Sequence, residues 1–181
     1  MRPIDPSHET IGSDIQAVIH ALRHPEPIIG AEWVARLQKL DPKAWYPINT
    51  LLELLDAVVK RGGHASLLQV GRQLFRDSHQ ARTAPTLKSA HDVVYGIDGW
   101  YHHANRGQNI GGWEVLKFGP GMAHLRKTTP HKCALEEGIL HEALHIIGAD
   151  SLIVQPKCVE RGDAACEFEL RSSVRDQRWG A

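Results

Sequence analysis

At 181 residues, with 42% hydrophobic and 23% charged side chains, the chain has the size and make-up of one globular domain with its own core. Lys+Arg and Asp+Glu balance at 21 each, which excludes the basic field that direct nucleic-acid binding needs. No apolar run is long enough to span a bilayer, residues 1–12 lack a signal-peptide core, and three cysteines make a poor disulfide framework, so a reducing, cytoplasmic setting is expected.

Residues 1–12 read as a loose leader. Ser13 and Gln16 fit a capping box, and Ile15, Val18, Ile19 and Leu22 form one helical stripe that stops before Pro25. A short helix is expected over about 31–40, with Trp33 and Leu37 as its apolar pair. Ile48, Leu51, Leu52, Leu55, Val58 and Val59 predict a third helix, closed by Gly62-Gly63. A fourth follows over about 65–79. Gly71 in its middle costs about 1 kcal/mol against alanine, which points to a close helix contact there. Leu87, Ala90, Val93 and Val94 give a fifth over about 86–96.

The character changes at Asp98. The Gly- and Asn-rich run 99–112, which also holds Trp100, Tyr101, His102 and His103, reads as non-helical. Residues 113–118 and 122–128 alternate as two strands around Gly119-Pro120-Gly121, and a long helix spans about 131–147 before Gly148. Residues 151–158 and 166–170 supply two further strands around a turn containing Gly162-Asp163. The expected fold is α+β: N-terminal helices followed by a ββαββ unit with a mainly antiparallel sheet. All of 1–181 is taken as one domain: leader 1–12, helical part 13–97, ligand- and metal-binding part 98–171, polar tail 172–181.

Two metal-capable signals overlap in the last third. His141, Glu142 and His145 spell HExxH, which on a helix sets two imidazoles on one face with a glutamate as general base, as in zinc hydrolases. No histidine follows His145, so a third ligand is not supplied by the usual extension. The second signal is cysteine. Cys158 and Cys166 flank a turn and would meet across a hairpin, while Cys133 opens the preceding helix, where the dipole favours a thiolate. Three thiolates and a fourth ligand make a closed zinc site; three buried free thiols are the alternative.

Cys133, Gly138, Gly148-Ala149-Asp150, Cys158, Arg161-Gly162-Asp163 and Cys166-Glu167-Phe168 together resemble the 4-vinyl reductase domain, over about 113–170. Its functional relatives are the sensory domains of aromatic-responsive transcription activators of phenol and xylene catabolism. The implied fold is the one shared with haem-based nitric-oxide sensors and a vesicle-tethering subunit family. The resemblance implies zinc on Cys133, Cys158 and Cys166, with the fourth ligand among Glu114, His124 and His131. It also implies an aromatic pocket with Trp113 on its strand and one of His91, His102 or His103; Trp100, in the aromatic block just before that strand, is a further candidate from the residues themselves.

The expected function is therefore a small-molecule sensor domain with a structural zinc and an aromatic or otherwise flat, apolar ligand between helices and sheet. A zinc hydrolase using His141, Glu142 and His145 is one alternative. A haem or tetrapyrrole sensor, with His91, His102 or His103 as axial ligand, is the other. Expected partners are the small molecule and an output protein or fused effector segment, with a second copy of the chain as a further candidate. Neither nucleic acid nor membrane is expected.

Overall fold

The computed structural model describes residues 5–173 and 177–180. Strand β1 (Glu9–Ile11) leads into helix α1 (Gly12–Ala21), followed by α2 (Glu26–Ile29), α3 (Ala31–Leu37) and strand β2 (Trp45–Pro47). Helix α4 (Ile48–Leu74) runs into a π-helical turn (Phe75–Gln80) and the short α5 (Ala81–Thr83). Helix α6 (Ala90–Ala104), β3 (Asn105–Arg106), β4 (Trp113–Gly119), β5 (Met122–Lys127), α7 (Cys133–Ile146), β6 (Ser151–Lys157) and β7 (Cys166–Ser172) complete the chain. The α+β expectation holds. Strands β4 to β7 form an antiparallel sheet in the order β4-β5-β7-β6, and α7 lies between its two hairpins in sequence.

Two expectations are corrected. The stretch read as a loose leader supplies β1, the middle strand of a small sheet β2-β1-β3, because Thr10 and Ile11 pair with Tyr46 and Trp45. The break expected at Gly62-Gly63 is present: α4 consists of two helical segments that meet at Gly63, whose φ of 73° and ψ of −173° are non-helical. The Gly- and Asn-rich run is helical up to Ala104. Ile97, Tyr101 and Ala104 recur at helical spacing and are all buried, so core packing outweighs the low propensity of Gly99. That helix starts later than expected, at a capping box of Ser89 and Asp92.

The core binds these layers together. The inner face of β5 carries Ala123, Leu125 and Lys127, and β7 adds Phe168 and Leu170. These cover one side of α7, whose Leu135, Leu140 and Leu144 are fully buried. On its other side α7 crosses α4 at two glycines: a Cβ on Gly71 would overlap the carbonyl oxygen of Leu135, and one on Gly138 that of Leu68. Trp179, in the segment read as polar tail, is buried and stacks on Phe118 with ring centroids 6.2 Å apart. No described helix is long and apolar enough to cross a membrane.

Candidate metal centre and ligand cleft

Three elements deliver the cysteines. Cys133 is the first residue of α7, Cys158 follows the end of β6, and Cys166 opens β7. Between the last two, a 3-10 turn (Val159–Arg161) ends at Gly162, whose φ of 97° favours glycine. Asp163 then closes the hairpin: its carboxylate accepts from the Cys158 N–H at 2.8 Å. Lys132 fixes this hairpin over the helix start, donating at 2.9 Å both to Asp56 of α4 and to Glu160 of the turn.

The result is a buried cluster. Cys133 Sγ lies 3.3 Å from Cys166 Sγ and 3.9 Å from Cys158 Sγ, and all three sulfurs fall within 4.8 Å of one another. A Zn–S bond of about 2.3 Å in tetrahedral geometry requires sulfurs about 3.8 Å apart; the Cys133–Cys158 separation matches this, and the Cys133–Cys166 pair at 3.3 Å would open slightly on binding the ion. Lys127 is the residue the sequence reading missed. Its buried ammonium donates to the carbonyls of Thr129 (3.2 Å) and His131 (2.6 Å) and sits 3.8 Å from Cys133 Sγ. The alternation of β5 was the available signal, since Ala123, Leu125 and Lys127 share the inward face.

The thiol expected to ionise most readily is not the one at the helix start. The hydrogen bond from Cys133, with the Val159 N–H and the Lys127 charge, holds Cys166 down to about 5 against its burial. The same bond and burial push Cys133 up. One proton is thus shared between two sulfurs, and Lys127 faces the negative charge they carry.

Among the described residues no protein donor completes the set. Glu114 is exposed and paired with Arg126 at 3.2 Å, His124 with Glu167 at 3.0 Å, and His131 with Glu136 at 3.3 Å. None of them joins the three sulfurs, which are the one cluster of three or more metal-capable side chains among the described residues. Beside the sulfurs opens a cleft of about 560 Å³, whose walls include Ile110, Lys127, His131, Cys133, Val159 and Cys166.

The HExxH residues point apart. Glu142 is buried in ion pairs with Arg76 (2.8 Å) and Arg72 (3.8 Å), His145 is exposed and bonded to Asp150 (3.0 Å), and His141 approaches Glu137 (3.8 Å). With the glutamate spent on two arginines, it is not placed as a general base between the imidazoles.

The interior between helices and sheet differs from the expected aromatic pocket. Trp100 and Trp113 do line a common space, but its volume is about 20 Å³, room for roughly one water. Trp113 packs on Phe168 and Trp100 on Phe75, filling what a flat ligand would occupy. His91 and His102 are about half exposed, at 59% and 46%, and His103 is exposed as well; none of the three lines the space. At about 20 Å³ this space would have to open to take haem. Four buried polar atoms without partners belong to residues around this space: Asp14 Oδ1, Asn105 Oδ1, Trp113 Nε1 and His131 Nε2.

Two groups at this space titrate in opposite senses. Burial pushes the Asp14 carboxyl up to about 6, and burial with the Arg82 charge pushes His79 down to about 3. Between pH 3.8 and 6 folded Asp14 keeps a proton that the unfolded chain has lost, so its contribution to stability falls as pH rises. Between pH 3 and 6.5 folded His79 lacks a proton that the unfolded chain binds, so its contribution rises with pH. The two slopes cancel where they overlap. Asp14→Asn is expected to expose the His79 slope: relative to wild type, its stability gains about 1.4 kcal/mol per pH unit between pH 4 and 6. Urea unfolding at several pH values checks this, and a constant difference across that window contradicts it.

With this geometry in hand, the comparisons with known proteins concern the fold. No family model and no curated protein matches the chain. Among solved structures, an H-NOX protein from Shewanella oneidensis in the Fe(II) ligation state superposes with a TM-score of 0.70 at 16% identity, over 93% of this chain and 99% of the other. The Fe(II)NO state of an H-NOX protein from S. oneidensis gives 0.69 at 17% identity, over 91% and 99%. An unliganded Fe(II) H-NOX protein from K. algicida gives 0.68 at 13% identity, over 91% and 97%. The chain therefore has the fold of the haem nitric-oxide-binding domains, over nearly its whole length.

Proposed function

We propose that this chain is a small-molecule-binding sensor domain whose metal centre is a zinc ion on Cys133, Cys158 and Cys166. The observation that carries the reading is the convergence of three buried sulfurs, from a helix start and both ends of a hairpin, within 4.8 Å. The resemblance of this stretch to the 4-vinyl reductase domain assigns the same three residues. Thiolates favour a soft or borderline ion, and their spacing suits zinc. Bound zinc supplies a crosslink between three chain segments. Lys127 offsets the net charge of three thiolates around a dication, and Lys132 holds the hairpin in register with the helix.

The cleft beside the centre is the ligand site under this reading, with the hairpin and the start of α7 among its walls. A ligand that binds one hairpin position better than another shifts the population between them, which is what a sensor must do. An output protein or a fused effector segment would read that shift.

The test is elemental analysis of purified protein, with an absorption spectrum. Zinc near one equivalent in wild type and in His141→Ala, and its loss in Cys158→Ser, is the expected result. Zinc retained by Cys158→Ser but lost from His141→Ala would sink the assignment and revive the hydrolase. Haem is the second reading, favoured by the likeness to H-NOX proteins alone; a Soret band in purified protein would establish it over the filled interior described above.

A further inference from the structure

Resting on that zinc assignment, we propose that the fourth coordination position is an exchangeable ligand site, facing the cleft, and that it takes a small organic thiol. Three sulfurs converge, and among the described residues no imidazole or carboxylate lies within their 4.8 Å sphere. Of the three candidates that the sequence names, Glu114 and His124 are paired elsewhere; His131 is held through Nδ1 by Glu136, and its unpartnered Nε2 does not join the sulfur cluster. A zinc site with three protein ligands keeps its fourth position for a solvent or substrate molecule, whereas closed four-ligand sites are structural.

The position is also reachable. Cys133 and Cys166 both line the 560 Å³ cleft while Cys158 does not, so the open side of the sulfur triangle faces the cleft and Cys158 lies behind it. A volume of that size accepts a small organic molecule and not only water.

The chemistry of the walls selects the class. Lys127 places a buried ammonium beside the centre, and the first turn of the 14-residue helix α7 adds its positive end at Cys133. Both favour an incoming anion. Glu160, the acidic group on the wall, is paired with Lys132 and does not oppose it. Ile110, Pro130, Val159, Ala164 and Ala165 give the rest of the cleft an apolar lining. A donor atom that suits zinc among thiolates, is negative when bound and carries an apolar body is a thiolate sulfur. On binding, the thiol gives up its proton to solvent, its sulfur replaces the water in the fourth position and that water leaves; no electrons are transferred.

Cobalt(II) reports such a change directly, because its visible bands depend on the number of sulfur ligands. The experiment loads wild type with cobalt(II) and titrates 2-mercaptoethanol, with imidazole and phosphate run separately. The expected result is a saturable shift of the cobalt bands with the thiol, at unchanged cobalt content after desalting. Ala164→Trp, at an exposed position on the cleft wall, should retain cobalt and need about tenfold more thiol for the same shift. Bands indifferent to thiol would show that the chain itself closes the site, and a response to imidazole alone would show a nitrogen site; either overturns the proposal. An unchanged response in Ala164→Trp overturns the cleft as the route. Failure of wild type to bind cobalt, or equal binding by Cys158→Ser, removes the zinc assignment itself and is read before any thiol is added.

Discussion

Cys158→Ser protein is expected to melt well below wild type, by more than the exchange of one buried sulfur for oxygen explains. A small polar substitution of this kind costs on the order of 1 kcal/mol. An ion that binds only the folded chain adds RT ln(1 + [L]/Kd), about 4 kcal/mol at a thousandfold excess over Kd. Little else holds this corner. The turn between Cys158 and Cys166 has no buried residue in its 3-10 segment, and Val159 is exposed. Its ties include the Asp163 bond to Cys158, the Arg161 bond to the Gln155 carbonyl and the Lys132–Glu160 pair, and exposed ion pairs contribute about 0–1 kcal/mol. Thermal unfolding with and without a strong chelator checks the prediction. Chelation should bring wild type down to the level of Cys158→Ser and leave the variant where it is. A wild type unmoved by chelator, or two proteins lowered equally, would contradict it.

How far the sequence revealed this corner depends on the range of the interactions involved. The hairpin around Gly162-Asp163 is local: seven residues separate Cys158 from Cys166, and strand alternation sets both ends. Cys133 could be placed over it because one helix and one strand connect them in order. Lys127 was legible by the same alternation but is a lysine, and charge argued for the outer face. What turns it inward is non-local. Two carbonyls after β5 and the sulfurs beyond them provide the partners that a buried ammonium requires.

The interior was least legible. Trp100 and Trp113 do share one space, as the aromatic block suggested, but whether two indoles enclose a pocket or fill it depends on their neighbours. Here Phe75 and Phe168 come from distant elements and fill it. The same holds for HExxH. Spacing puts His141 and His145 near one face, but the fate of Glu142 is decided by Arg72 of α4 and Arg76 of the π-helical turn after it, far earlier in the chain.

Gly71 is the position where the sequence alone foresaw a close contact, and it carries the second large effect. In an open helix, glycine to alanine stabilises by about 1 kcal/mol. At Gly71 the new methyl would overlap the carbonyl oxygen of Leu135 and stand 2.9 Å from its carbon and 3.0 Å from Gly138 Cα. All of these are backbone atoms of α7, so no side-chain rotation relieves the clash and the helices must separate. Overpacking typically costs about 1–3 kcal/mol and more where backbone has to move. Separation would also disturb Cys133, since it begins the same helix. Gly71→Ala is therefore expected to lose at least about 2 kcal/mol net, lowering Tm by about 4–8 °C for a domain of this size, and to weaken metal retention. Gly99 provides the control in the same fold. It lies in α6, and a Cβ there meets nothing within 4 Å. Gly99→Ala should raise Tm slightly. If both substitutions stabilise, α4 and α7 do not cross through their glycines, and the packing that presents Cys133 to the hairpin is wrong.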